Sequence, residues 1–309
     1  MRGLMSMPPS LRDWVENWRP GLEEVTDDID AARMHSLAAT LGSAETPAET
    51  VPPLWHWLYC QSPWPRTADL GDDGHPAAGP FLPPIPQRRR MFAGASLRIT
   101  TPLTVGEPAH RRAEVVDIAV KNGRSGEMLF VTVRHEYRQR GAVRIVEEQD
   151  LVYRSGGTGA PAVAVNRKPL GENRTPWSAL PQFSPALLFR FSALTANAHR
   201  IHYDADYATA VEGFPALVVH GPLLAVQMAE LVRSRTAGRA VAAFNFRLQR
   251  PVFLGDAVRV EGTPTAGGAE LAVVSGSGVT HASAAATFVS HSLFEFSPTS
   301  CCLHRQPGQ

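Results

Sequence analysis

Two stretches of this chain match one another without a gap: residues 96–107 (SLRITTPLTVGE) and residues 245–256 (NFRLQRPVFLGD). Arg98 and Arg247, Pro102 and Pro251, Gly106 and Gly255 are identical, and most other pairs are similar in character. In both, a strand runs into a proline and then a Gly-acid turn that leads to the next strand. Either the match is chance or it marks a duplicated sheet unit, which confines the fold to two related halves. The copy is uneven. The apolar run at residues 223–232, shifted back by the same offset, lands in the proline-rich stretch 62–87, where no helix forms. The first half is therefore expected to have lost or displaced its central helix.

The remaining patterns place elements around this repeat. Asp27-Asp28-Ile29-Asp30 leads into residues 31–41, which read as an acid-capped helix closed by Gly42. The stretch 62–87 reads as a long functional or disordered loop, and Trp64, Phe81, Leu82 and Ile85 favour one that packs onto something. Leu129, Val131, Val133, His135 and Tyr137 alternate with more polar residues at a strand's period of two. Asn122-Gly123 signals a hairpin before them, and residues 142–153 add a strand. In the second half, helical segments at 184–196 and 204–212 precede His220-Gly221-Pro222, a good helix start. The helix that follows is apolar almost all round and so is expected to be buried. Strands are predicted at 242–248, 257–261, 271–275 and 280–294. The fold class is α+β, antiparallel sheet packed on helix. The expected division is a first half at 11–154, a linker at 155–174, a second half at 175–296 and a disordered tail at 297–309.

Thirty basic against 29 acidic residues give a net charge of +1, and the only dense basic run is Arg88-Arg89-Arg90. That argues against a nucleic-acid partner, which requires clustered positive charge. Cys60, Cys301 and Cys302 form neither a disulfide framework nor a zinc module, which points to a reducing compartment. Residues 1–9 lack a signal-like apolar region, and the longest apolar stretch, 216–229, is short and interrupted by His220, Gly221, Pro222 and Gln227. The expectation is a cytoplasmic protein without a membrane partner.

The densest chemistry lies in residues 191–204 (FSALTANAHRIHYD). His202 has an ordinary pKa near neutrality, suiting a base or acid, and Asn197 can hold a water or carbonyl through its amide. The N–H groups at the helix start by His220-Gly221 can polarise a carbonyl. Together these suit proton abstraction next to a carbonyl. Each has a plainer alternative: His199 and His202 as a structural pair, His220 as a helix cap, Asp204 as the N-cap of the helix containing Tyr207. Glu147-Glu148 reads as a solvated strand face. His199-x-x-His202 lacks an evident third ligand, so no metal is expected. No phosphate-binding loop, dinucleotide fingerprint or Gly-x-Ser-x-Gly motif is present, so no cofactor is expected.

Residues 195–204 (TANAHRIHYD), followed by 213–222 (GFPALVVHGP), resemble the MaoC-like hydratase/dehydratase family. The branch is the one containing mesaconyl-C4-CoA hydratase, itaconyl-CoA hydratase and the hydroxyacyl-thioester dehydratase type 2 proteins. Asp73-Gly-His75, Phe81-Leu-Pro-Pro84, Arg89-Arg-Met91, and residues 131–137 through 147–150 look similar to that branch too, so the resemblance spans roughly residues 11–296. It implies a double hot-dog fold, a long helix wrapped by antiparallel sheet in two copies, the first degenerate. It also implies reversible hydration of a 2-enoyl thioester to a 3-hydroxyacyl thioester, without cofactor.

The family's active pair is an Asp and a His five residues apart. His202 matches the His, while Asn197 stands at the Asp position, as in this branch. An amide takes no proton, so the resemblance implies that Asn197 orients the water and His202 makes the proton transfers. The Gly221 N–H then holds the thioester oxygen, with His220 beside it, and Asp204 or His75 supplies a second acid. Only the second half is expected to be catalytic, with the acyl group in the room left by the missing helix. Arg200, Arg247 and Arg250 are candidates for a substrate carboxylate or the carrier's phosphates. A short dicarboxylic acyl group requires a buried Arg near His202; a fatty chain requires an apolar tunnel. The carrier is CoA or acyl-carrier protein, and monomer and homodimer both agree with a doubled unit. The alternatives are a non-catalytic acyl-binding subunit, motivated by Asn197, and a thioesterase, for which Glu230 lies far from its helix start.

Overall fold

The computed structural model describes residues 9–43, 45–86, 88–123, 126–155 and 164–290. Residues 156–163 of the linker, 124–125 of the hairpin, the end of the last predicted strand and the tail with Cys301 and Cys302 lie outside these residues. In chain order the elements are α1 (Leu11–Val15), β1 (Glu23–Asp28), α2 (Ala31–Leu41), β2 (Arg88–Ile99), β3 (Pro108–Gly123), β4 (Gly126–Gln139) and β5 (Ala142–Ser155). The second half follows with β6 (Trp177–Ala179), α3 (Pro185–Leu194), α4 (Gly221–Arg235), β7 (Val241–Leu248), β8 (Val258–Pro264), β9 (Gly268–Ser275) and β10 (Thr280–Phe288). All strands join one antiparallel sheet in the order β1-β3-β4-β5-β2-β7-β10-β9-β8-β6.

That order reads alike from either end when each strand is exchanged for its counterpart, β2 for β7 through β5 for β10. The two matched segments meet at the centre. Ser96 pairs with Asn245, its own counterpart, and donates a 2.7 Å hydrogen bond to Asn245 Oδ1. A pseudo-two-fold axis passes between them, and the repeated turn glycines share a left-handed φ, +85° at Gly106 and +96° at Gly255. The duplication is real, and the fold is an α+β double hot dog.

Among the described residues, only the second half has its long helix. The buried side of α4 packs Leu223, Leu224, Val226, Met228, Leu231 and Val232 against β8–β10, as its all-round apolar character requires. The counterpart is not in the proline-rich loop, where a constant offset puts it. Val219 N donates to Val252 O at 2.8 Å just before α4, and Val51 N makes the same bond to Leu103 O at 2.9 Å. After Val51 come Pro52, Pro53 and a single 3₁₀ turn, Trp55–Leu58. The offset is not constant because the second half inserts the histidine-rich segment before this point and the first half inserts the proline-rich loop after it.

The shortened helix changes what the sheet must bury. Beneath α4 the sheet presents Val260, Leu271 and Ala284; the corresponding first-half positions are Arg111, His135 and Glu147, all buried. Glu147 is wholly inaccessible, which corrects its reading as part of a solvated face: Glu148 points outward, and Glu147 shares the inner side with Ile145. His56 Nε2 donates to Glu147 Oε2 at 3.0 Å and Trp57 Nε1 to Oε1 at 2.9 Å. Arg111 donates to the Cys60 carbonyl at 2.8 Å and to His135 Nδ1 at 3.1 Å, and pairs with Glu23. A smaller apolar cluster joins Leu11 and Val15 of α1 to Ile85 and Phe81, so the proline-rich loop ends packed against the sheet. Among the described residues, no helix is long and apolar enough to cross a membrane.

Candidate active site

Local sequence positions most of the site. Ser184 caps α3 and Pro185 opens it; the helix ends at Leu194, and Ala196 in the turn after it has a φ of +50°. Asn197 Oδ1 accepts from the His199 N–H at 3.1 Å, a tight side-chain turn that starts the 3₁₀ turn Arg200–His202. His202 is buried, and its Nδ1 lies 2.8 Å from the carbonyl of Val218. A carbonyl only accepts, so Nδ1 carries the proton and Nε2 holds a free lone pair.

The His220 ring stacks on His202 with centroids 3.7 Å apart, and His220 Nε2 meets Ser192 Oγ of α3 at 2.8 Å. His220 is fully buried, behind His202, so it backs that ring. Gly221 is the first residue of α4, and Pro222 after it has no N–H. Among the described residues, no protein group accepts from the Gly221 N–H, one of the donors a helix start leaves open. A Cβ at Gly221 would lie 2.1 Å from Leu248 Cδ1, so a larger residue at the helix start would have to displace the Leu248 side chain.

The proline-rich loop supplies the rest, so the cluster draws on both halves. Arg200 N donates to the Asp73 carbonyl at 2.9 Å, and a Cβ on Gly74 would sit 2.0 Å from the Ala198 carbonyl oxygen; the two backbones touch. This contact sets the His75 ring 4.3 Å from His199, which lies edge-on 5.5 Å from His202. Asp73 accepts from both the N–H and Nδ1 of His75, each at 2.9 Å. The third metal-ligand type missing from His199-x-x-His202 thus comes from a distant loop and joins His199: ligand atoms of Asp73, His75 and His199 lie within 4.8 Å of one another.

The other residues named from sequence sit at the edges. Arg200 and Asp204 engage each other at 2.7 Å; Arg200 also donates to the Asp72 carbonyl, and Asp204 accepts from Tyr207 N. They clamp the loop onto the histidine segment. Arg247 and Arg250 are exposed. Asp73, His199, Ser192 and Arg90 were missed as site residues. For Asp73 a signal existed, since Asp73-Gly-His75 already stood out beside His75.

Burial sets the electrostatics. It pushes His202 down to about 4, against the hydrogen bond to Val218. It lowers His75, helped by the Arg90 charge, and lowers His199 and His220 further. Burial works the other way on Asp73, but the hydrogen bonds from His75 outweigh it and hold the carboxylate ionised. At neutral pH these imidazoles are uncharged, the form in which His202 accepts a proton.

The same shifts predict acid lability. Between about pH 6.5 and 4 the unfolded chain binds protons on these histidines and on His135, also near 4, that the folded chain refuses. Stability is therefore full above pH 6.5 and falls with pH through that window, by about 3 kcal/mol for each of His135 and His202. Thermal unfolding followed from pH 8 to pH 4 checks this; a melting temperature flat across the window refutes the buried neutral histidines.

Comparison with known proteins gives the family and the fold. The family model described as hydroxyacyl-thioester dehydratase type 2 matches residues 54–254. Over 247 residues the chain is 47% identical to the mesaconyl-C(4)-CoA hydratase of Chloroflexus aurantiacus, covering 79% of this chain and 86% of that one. Over 274 residues it is 27% identical to the mitochondrial hydroxyacyl-thioester dehydratase type 2 of Schizosaccharomyces pombe, covering 76% and 87%. Among solved structures, a MaoC-like dehydratase from Phytophthora capsici superposes with a TM-score of 0.62 at 14% identity, covering 90% of this chain and 98% of that one. A Mycobacterium tuberculosis protein with a double hot-dog fold gives a TM-score of 0.55 at 13% identity, covering 91% and 98%.

Proposed function

This chain belongs to the hydroxyacyl-thioester dehydratase type 2 family and is an acyl-thioester hydro-lyase, and from that premise we propose that it hydrates the 2,3 double bond of mesaconyl-C4-CoA or a close analogue, with His202 as the base. The observation that carries the assignment is the Nδ1 bond from His202 to Val218, which leaves Nε2 as an uncharged, buried acceptor near the α4 start.

In this reading the thioester oxygen accepts from the Gly221 N–H, where the α4 dipole adds to the hydrogen bond. Among the described residues no group accepts from the Asn197 amide nitrogen, which is proposed to hold the water. His202 Nε2 takes a proton from that water as its oxygen bonds to C3. The double-bond electrons move to the thioester oxygen, return as C2 takes the proton from the His202 imidazolium, and leave the enzyme unchanged. Of the two groups considered as a second acid, Asp204 is held ionised by Tyr207 N and Arg200. His75, steadied by Asp73, remains the group able to relay a proton.

Incubation with mesaconyl-C4-CoA and crotonyl-CoA is expected to bleach the enoyl-thioester absorbance without releasing free thiol, and faster for mesaconyl-C4-CoA. Thiol release would indicate a thioesterase instead. Tight binding without turnover would indicate an acyl-binding subunit.

A further inference from the structure

The run Arg88-Arg89-Arg90 opens β2, and its three side chains have different fates. Arg88 donates to the Ala77 carbonyl of the proline-rich loop, tying that loop to the sheet. Arg89 pairs with Glu212 at 3.3 Å. Arg90 lies half-buried against the Tyr153 hydroxyl, its neighbour across β5, and among the described residues no carboxylate lies within ion-pair distance of it. Strand alternation puts Arg90 on the same side as Phe92. Phe92 faces inward, stacked 5.9 Å from Phe246 and packed 6.4 Å from Trp57. The Arg90 charge acts on both His75 and His199. Asp73, whose two oxygens accept from His75, makes no ion pair with Arg90.

A half-buried guanidinium without a counter-charge, beside a cluster of uncharged imidazoles, calls for an anion from outside the chain. We infer that Arg90 is the subsite for a carboxylate on the acyl group of the substrate. This rests on the hydratase reading and deepens it. Counted from the thioester carbonyl, the monothioester of a butenedioic acid, including the methyl-branched acyl group of mesaconyl-C4-CoA, bears its second carboxylate on C3, the carbon that receives the hydroxyl. The carboxylate therefore lies beside the attacking water, and so beside the base and its histidine neighbours, where Arg90 projects. The arginines singled out from sequence do not fit this role: Arg200 is engaged by Asp204, and Arg247 and Arg250 are exposed.

The test compares thioesters with and without the carboxylate. In Arg90→Gln the ratio of kcat/KM for mesaconyl-C4-CoA over crotonyl-CoA is expected to fall on the order of 100-fold, as for removal of one partner of a buried charged pair. Arg90→Lys, which keeps the charge without the planar fork, is expected to lose less. Calorimetry with succinyl-CoA and butyryl-CoA reads the same preference without turnover, on the wild-type enzyme as well as the variants. A wild type that binds the two equally overturns the proposal. So does an Arg90→Gln loss that is the same for both members of each pair, which would assign Arg90 to the CoA phosphates or to structure. Failure of the wild type to hydrate either enoyl thioester removes the hydratase reading instead, and the succinyl/butyryl ratio still decides Arg90.

Discussion

His202→Ala is expected to lower kcat on the order of 10³- to 10⁴-fold, with KM changed only a few-fold. The split follows from geometry. The substituted ring contributes a lone pair at Nε2, used only as water attacks, whereas the Gly221 N–H and the acyl contacts remain. His220 cannot take over: it is fully buried behind His202, and its Nε2 is engaged with Ser192. His199 lies 5.5 Å from His202, with its backbone fixed by Asn197. Single-turnover kinetics beside a thermal melt make the check. Wild-type kcat in a folded His202→Ala protein would move the base elsewhere, with His75 the next group to replace.

Glu147→Ala is expected to destabilise the fold by about 3–5 kcal/mol, the cost of breaking a buried charged network from one side. Burial alone would raise the Glu147 carboxyl, but the His56 charge and hydrogen bond hold it below the usual range. Without it, fully buried His56 and half-buried Trp57 lose the acceptor for Nε2 and Nε1. Glu147→Gln retains an acceptor for Trp57 and should cost less. Urea unfolding of the three proteins at pH 7 gives the ordering; an alanine variant within about 0.5 kcal/mol of wild type would show the network to be dispensable. The contrast lies inside the molecule: Ala284, the counterpart of Glu147, lies under α4 and needs no partner.

Much of this was legible in the sequence. The alternation from Leu129 to Tyr137 gives five inward residues, all buried, and the all-round apolar run after Gly221 is the buried α4. The hairpin signalled by Asn122-Gly123 joins β3 to β4, with Gly123 pairing with Gly126. Glu147 was misread although it shares parity with Ile145. A period of two separates the faces of a strand but does not say which is covered, and a buried carboxylate is tolerated only where partners converge from elsewhere.

What the sequence determined alone is whatever depends on neighbours along the chain: the repeated strand-proline-glycine unit that doubles the sheet, the helix start at Gly221, and the turn that places Asn197 before His202. Tertiary structure decided what meets across distance. It brought Asp73, His75 and Arg90 to histidines more than a hundred residues further on, and reduced the first central helix to the turn at Trp55–Leu58. The reason is physical: local spacing fixes the direction of each side chain within its own element, but a lone pair, a counter-charge or a buried acid acquires its chemistry only from the groups that packing sets beside it.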